Sequence, residues 1–308
     1  MPTRGRNFTA VILITGSGPQ DRNSEIFGHK PFLVIADYLT RQGIAVLRFD
    51  DRGIAQSTGN FATATTADFA TDVESAIEYL KTRREINRRK IGLIGHSEGG
   101  IIAPIVASRS NDVGFIVMLA GTGMRGAELL LKQARLIFQA SGMSEDYIRT
   151  NLSINAQLFA IILTEDDSTS IERVINSYIL EIKDEFEKVA TPEISAESHI
   201  ELLTAQLSSP WMQYFIRYDP MPILEQVKCP VFAINGERDL QVPATENLSA
   251  IKSALERGGN RRVTIKEYQG LNHLFQECET GSPVNYAVIE QTFSPEVLKD
   301  IVEWILRN

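Results

Sequence analysis

Apolar positions along this chain follow two regimes. Towards both ends they form short apolar runs, β-branched at Ala10–Ile14, separated by stretches with a helical period. The runs are Ala10–Ile14, Ile91–Ile94, Phe115–Ala120 and Pro230–Ile234. Two segments that carry polar residues, Ala45–Phe49 with Arg48 and Val263–Tyr268 with Thr264, Lys266 and Glu267, read as further strands. A run without polar alternation is what a central parallel strand, buried on both faces, requires. Between them, Lys30–Gln42 places Phe32, Ile35, Ala36 and Leu39 on one helical face and is stopped by Gly43. Asp68–Arg83 reads as a second helix, capped near Thr66 or Asp68, and Arg83–Lys90 as a solvated basic run. A helix follows Ser97, another opens at Val242-Pro243 and runs to about Arg257, and an amphipathic one spans Ser294 to about Leu306. Strands and helices alternating at this pitch predict an α/β chain with a doubly wound, mostly parallel sheet.

From about Met124 to Pro220 the helical period holds alone. The expected helices are Glu128–Ala140, Ser144–Leu163, Ser170–Val189, Glu197–Leu207 and Trp211–Tyr218. Nothing there reads as a buried strand, so the stretch is expected to be a helical cap inserted between two strands. The division is therefore 1–123 with 221–308 as the core domain and 124–220 as the cap. Leu129, Phe138, Leu158, Phe159, Trp211 and Phe215 are expected mostly to fill the cap's own core, with a few facing the cleft.

Composition narrows the function. The 308 residues can bury a large core, and 43% hydrophobic with 23% charged residues is ordinary for a globular chain. A formal net charge of −8 argues against nucleic acid or an anionic membrane as the main partner. No run of 18 apolar residues occurs. Met1–Ala10 lacks the apolar core of a signal peptide, so a cytoplasmic location is the expectation for the chain as given. Cys229 and Cys278 fall at opposite ends of the expected sheet and are expected to be free thiols.

The densest chemistry lies at Gly95-His96-Ser97-Glu98-Gly99. A strand leads into this Gly-x-Ser-x-Gly and a helix leaves it at once, the context of a nucleophile elbow. Gly95 and Gly99 let strand and helix approach without a Cβ clash. The serine hydroxyl then stands at a helix N-terminus, where the Glu98 N–H can stabilise an oxyanion.

A serine is nearly inert at neutral pH without a base, and the base needs an orienting group. In an open parallel sheet such groups gather beyond the carboxyl ends of strands, where Ser97, Asp239 and His273 fall in that chain order. His29 lies at a helix start, His199 in the cap, and His96 is expected to point away from the serine. Glu237 competes with Asp239 but follows its strand directly and has less reach. Thr15–Asn23 is a Gly/Pro/Asx loop whose Gly-x-Gly lacks a third glycine, so it is no dinucleotide fingerprint. A backbone N–H from such a loop would complete an oxyanion hole. Asp50-Asp51-Arg52-Gly53 is open to a catalytic reading, but a carboxylate–Arg pair bracing a loop is the commoner explanation. Neither a P-loop nor His-x-x-x-His or Cys-x-x-Cys spacing occurs, so neither cofactor nor metal is expected.

With these residues in place, the chain resembles the α/β-hydrolases, in particular bacterial carboxylesterases related to serine aminopeptidase-like (S33-type) and cinnamoyl-esterase-type enzymes. The carrying segments are Gly16–Arg22, Phe49–Gly53, Gly95–Gly100, Asn235–Asp239 and Gly270–Phe275. The resemblance implies Ser97 as nucleophile, His273 as base and Asp239 as its partner. It also implies an oxyanion hole made by the backbone N–H groups of Glu98 and Ser17. Relatives usually carry His-Gly where this chain has Thr15-Gly16. They also begin with antiparallel strands, whereas about nine residues precede the first parallel run here. If a leader has been removed, the location becomes periplasmic or secreted.

The expected activity is hydrolysis of small, largely apolar acyl esters through an acyl-enzyme. The expected partner is a small-molecule ester, without nucleic acid or an integral membrane segment, and a homodimer is left open. A peptidase or amidase with the same triad is the alternative. It would need an acidic group in the cap for a substrate ammonium, and Glu165, Asp166 and Asp167 there read as solvated. A non-catalytic binding module is the remaining one, and the intact triad argues against it.

Overall fold

The computed structural model describes residues 1–165, 168–191 and 194–308. The chain divides into two compact units, Met1–Phe61 with Thr66–Met124 and Pro220–Asn308, and Ala62–Thr65 with Arg125–Asp219. Asp166 and Asp167, read from the sequence as solvated acids, lie outside the described residues.

In the first unit the continuous apolar runs become strands. In chain order it holds β1 (Phe8–Ile14), α1 (Pro31–Arg41), β2 (Ala45–Leu47), α2 (Thr66–Thr82), β3 (Ile86–His96), α3 (Gly99–Arg109) and β4 (Phe115–Leu119). The second unit follows with α4 (Gly126–Ala140), α5 (Glu145–Thr164), α6 (Ser168–Glu181), α7 (Lys183–Glu187), α8 (Ala196–Ser208) and α9 (Pro210–Arg217). The first unit resumes with α10 (Met221–Leu224), β5 (Val231–Gly236), α11 (Ala244–Arg257), β6 (Val263–Tyr268), a short 3-10 helix (Pro283–Val288) and α12 (Pro295–Arg307).

The strands make one six-stranded sheet in the order β2-β1-β3-β4-β5-β6, every pair parallel. Ile12 lies opposite both Leu47 and Leu93, and the register continues through Ile116 to Val231 and Val263. This is the α/β-hydrolase fold, doubly wound as its sequence predicts. From β1 the chain moves outward to β2, then returns to place β3 on the other side. The strand order reverses between β1 and β3, the position at which open parallel sheets place their ligands beyond the strands' carboxyl ends.

Residues of α1 (Phe32, Ile35, Leu39) and α12 (Val297, Ile301, Ile305) share a buried cluster with Val11, Leu13, Ile94 and Val117 of the sheet. The helices α2, α3, α10 and α11 touch in series, with α3 against β3 and β4 and α11 against β5 and β6. The second unit has its own core, built around Leu158, Ile162, Ile175, Phe186 and Leu207. Ser144, Ser195 and Ser209 cap its helices, each side chain accepting a backbone N–H three residues on. Leu129, Leu158, Phe159 and Phe215 are buried, whereas Phe138 and Trp211 stay half-buried.

Three expectations need correcting. The basic segment 83–90 is not only a solvated run, because β3 already starts at Ile86. Ile86 is buried opposite Phe8, while Arg88, Arg89 and Lys90 keep their charged heads in solvent on the same extended backbone. The segment Ser170–Val189 is not one helix but two, broken at Ile182. Thr66 does not cap α2: it is the first helical residue, and its hydroxyl donates to Glu98 Oε1 at 2.7 Å.

Cys229 and Cys278 are both free thiols. Among the described residues, no helix is long and apolar enough to cross a membrane.

Candidate active site

Ser97 follows β3 directly and precedes α3, with φ at +54°. That left-handed backbone is unfavourable for a residue with a Cβ and marks a position held by its surroundings. The Ser97 N–H donates to Leu119 O at 2.8 Å, fixing the turn to β4. The close approach of strand and helix needs both glycines. A Cβ on Gly95 would lie 1.9 Å from Gly99 O, and one on Gly99 would lie 2.2 Å from Ile14 O.

The loop after β1 runs beside this turn. A Cβ on Gly16 would come within 3.1 Å of Ser97 Cβ, so the loop backbone abuts the serine side chain. Ser17 itself is exposed, and its carbonyl accepts from Gln20 Nε2 at 3.2 Å. Two carboxylates from the end of β2 hold the loop. Asp50 accepts the Arg22 N–H at 2.8 Å and pairs with its guanidinium at 2.9 and 2.5 Å, and these bonds hold its carboxyl well below the usual range. Asp51 accepts from Thr15 Oγ1 at 2.7 Å and from the Gln20 N–H at 3.0 Å. Burial pushes the Asp51 carboxyl up to about 6, against the pull of those two donors. The expected carboxylate–Arg brace is thus Asp50 with Arg22, while Arg52 turns instead to Asp72.

His273 lies in the loop after β6, and Asp239 in the loop after β5. Both are buried, and His273 Nδ1 lies 2.7 Å from Asp239 Oδ2. The other Asp239 oxygen accepts the N–H groups of Gln241 and Val242, each at 2.8 Å. Asn272, fully buried, accepts the N–H groups of Leu274 and Gln276 and so shapes the turn around His273. The Arg238 N–H donates to Leu271 O at 2.9 Å and ties the two loops together. Glu237 instead accepts the Gly270 N–H at 2.9 Å, a brace for the loop rather than a partner for His273.

His96 packs against the loop that carries His273. Its ring lies 4.8 Å from the His273 ring, and its Nε2 is 2.9 Å from the His273 carbonyl. It borders the same glycine as the serine, with Nδ1 3.5 Å from the Cβ position of Gly16. Enclosure by protein, with His273 beside it, pushes the His96 imidazole down to about 3. It is therefore neutral, and bonding to a carbonyl requires the Nε2–H tautomer. The residue before Ser97 thus touches His273.

Two supporting side chains had no sequence signal. Asn247 of α11 accepts from Thr122 Oγ1 and the N–H groups of Gly123 and Met124, at 2.9–3.2 Å, and pins the end of β4. The Tyr286 hydroxyl accepts from Gln241 Nε2 at 3.2 Å, next to the Asp239 turn, and its carbonyl lies 3.1 Å from His29 Nε2. Both act between segments far apart in the chain, which no local pattern records.

Comparison with known proteins agrees with this architecture. The family model described as serine aminopeptidase, S33, matches residues 30–189, just over half of the chain. Esterase EstD of Thermotoga maritima is 26% identical over 311 aligned residues, covering 100% of this chain. The chain spans about 64% of the length of that relative. Among solved structures, the Pyrococcus furiosus esterase Pf2001 superposes with a TM-score of 0.57 at 17% identity, over 98% of this chain and 82% of that one. The α/β-hydrolase GrgF of Penicillium sp. sh18 gives a TM-score of 0.57 at 15% identity, over 99% of this chain and 91% of its own.

Proposed function

Because the chain belongs to the serine aminopeptidase (S33) family, we propose that it is a serine hydrolase cleaving small, largely apolar acyl esters. Ser97 Oγ attacks the ester carbonyl and His273 takes its proton at Nε2. Asp239 holds the imidazole through Nδ1 and stabilises the imidazolium that forms. The N–H groups of Glu98 and Ser17 receive the oxyanion. The alcohol leaves with the proton from His273, and water then releases the acid from Ser97 by the same steps in reverse.

The observation that carries this reading is the buried 2.7 Å contact between His273 and Asp239, and Ser97, held at φ +54° in the turn between β3 and α3, supports it. The name of the Thermotoga maritima relative, an esterase, favours ester over amide. The same triad would serve an amide, and the aminopeptidase description of the family keeps that reading open. It calls for an acidic group that receives a substrate ammonium. Of the acids considered for that role, Glu165 already accepts from Ser170 Oγ at 2.8 Å.

Hydrolysis of p-nitrophenyl esters of increasing acyl length, by wild type and Ser97→Ala in parallel, tests the proposal. Short esters are expected to be cleaved by wild type only. Cleavage of aminoacyl-anilides with inert esters would favour the peptidase reading. A wild type that neither cleaves esters nor labels with a fluorophosphonate would remove the catalytic reading.

A further inference from the structure

The loop from Thr15 to Gln20 is anchored at both ends by one carboxylate. Asp51 Oδ1 accepts from the Thr15 hydroxyl at 2.7 Å and Oδ2 from the Gln20 N–H at 3.0 Å, while the Asp51 N–H donates to Gln20 O at 3.1 Å. Between these anchors lie Gly16, whose backbone abuts the Ser97 side chain, and Ser17. The near anchor also touches the elbow, because a Cβ on Gly99 would lie 2.8 Å from Thr15 O. Displacing Thr15 therefore moves the loop against the turn that holds Ser97.

The clamp is shielded from solvent. Asp51 and Thr15 are each 8% exposed. The cavity beneath the loop, bordered by Thr15, Gly16, Gly18, Asp51, Asp72 and Glu98, is only about 10 Å³, room for about one water. The Thr15–Asp51 bond is buried, so bulk water competes little for that anchor. Asp50, the neighbouring acid, is already committed to Arg22, so it cannot substitute for Asp51.

We infer that Asp51 is the positioning residue of the oxyanion hole: its two hydrogen bonds set where the Ser17 N–H stands relative to Ser97. This rests on the serine hydrolase reading above. Asp51 touches neither substrate nor reacting atom and acts through the loop. Its effect should therefore fall on the step in which negative charge develops, and leave ground-state binding nearly unchanged.

The test uses Thr15→Val, which removes the hydroxyl at constant shape, Thr15→Ser, which keeps it, and Asp51→Asn. In Asp51→Asn one oxygen still accepts from Thr15, while an amide N–H now faces the Gln20 N–H. The measurements are kcat and KM on p-nitrophenyl acetate, the rate of fluorophosphonate labelling, and thermal unfolding. A whole oxyanion donor is worth about 10²–10³-fold in kcat, so its displacement should cost about 10–100-fold. Thr15→Val and Asp51→Asn are expected to lose that much in kcat and in labelling rate, with KM within about threefold, and Thr15→Ser to regain wild-type kcat within about threefold. If Asp51→Asn does not fold, the Thr15→Val and Thr15→Ser pair decides alone.

An active wild type whose Thr15→Val variant keeps kcat within about threefold overturns the inference while leaving the hydrolase reading intact. So does a loss carried by KM alone, or a Thr15→Ser variant as impaired as Thr15→Val. A wild type inert to both ester and fluorophosphonate overturns the hydrolase reading, and this inference with it.

Discussion

Asp239 is held from two sides: Oδ2 lies 2.7 Å from His273 Nδ1, and Oδ1 receives the N–H groups of Gln241 and Val242. The backbone fixes the carboxylate before it meets the imidazole. Asp239→Asn keeps an oxygen for the two N–H groups but turns an amide N–H towards His273. Nδ1 must then lose its proton and Nε2 gain one, leaving no lone pair for Ser97. We expect kcat to fall by about 10⁴-fold with little change in thermal unfolding. Asp239→Ala should also leave the two N–H groups without their acceptor, costing about 1–3 kcal/mol for each. Ester hydrolysis and denaturant unfolding of the two variants check this, and an Asp239→Asn enzyme within about tenfold of wild type would remove Asp239 from the mechanism.

Ser97 stores strain in its backbone at φ +54°. A left-handed conformation costs a residue with a Cβ about 1–2 kcal/mol, and glycine escapes that cost. Glycine also loses more conformational freedom on folding, which offsets about 0.5–1 kcal/mol. Ser97→Gly should therefore be at least as stable as Ser97→Ala, by up to about 1.5 kcal/mol, and both should be inactive. Urea unfolding of the pair measures the difference. An alanine variant more stable by about 1 kcal/mol would place the strain elsewhere.

Two glycines should fail for different reasons when replaced by alanine. At Gly99 the new methyl would meet Ile14 O at 2.2 Å, and a strand backbone cannot move aside cheaply. Gly99→Ala should cost about 3 kcal/mol or more and lower kcat, since it pushes the elbow off the loop that carries Ser17. At Gly142, after α4, nothing lies within 4 Å of the added methyl, but φ is +73°. Gly142→Ala should cost about 1–2 kcal/mol from backbone strain and leave esterase activity unchanged. Thermal unfolding with kcat for both separates the two causes, and equal losses of activity would contradict this account.

How legible each feature is in the sequence follows from how local its cause is. The strands from Ala10, Phe115 and Val231 can be read off as apolar runs because both faces of a central parallel strand are buried. The start of β3 cannot, because Arg88, Arg89 and Lys90 look solvated and are, while their backbone still continues the strand. The Gly95–Gly99 turn is legible because strand, serine and helix are contiguous. Asp239 and His273, 34 residues apart, are legible only through their order along the chain, and the structure joins them by a hydrogen bond. Asn247 pins Thr122 across 125 positions, and nothing local distinguishes it from any other helical asparagine. The contact of His96 with His273 is illegible for the same reason, because the two lie 177 positions apart.

Asp51 should make stability depend on pH in the sense opposite to a salt-bridged carboxylate. Burial raises its folded pKa from 3.8 to about 6, so between those values the folded chain binds a proton that the unfolded chain has lost. Stability then falls as pH rises through that window and is flat above it. Roughly two units correspond to about 3 kcal/mol. The groups facing Asp51 are the Thr15 hydroxyl and Gln20 N–H, which favour the charged form, and Asp50 and Asp72, which oppose it. Glu98 borders the same cavity, while Arg22 and Arg52 are engaged by Asp50 and Asp72. Asp51→Asn removes this titration and leaves the others in place. Its lost bond to the Gln20 N–H is a constant offset across the pH range. Stability of the variant minus that of wild type should therefore rise by about 2–3 kcal/mol between pH 4 and 6.5, then level off. Urea unfolding of both proteins at half-unit pH steps measures that difference, and a flat line would mean that Asp51 ionises in the fold as it does in water.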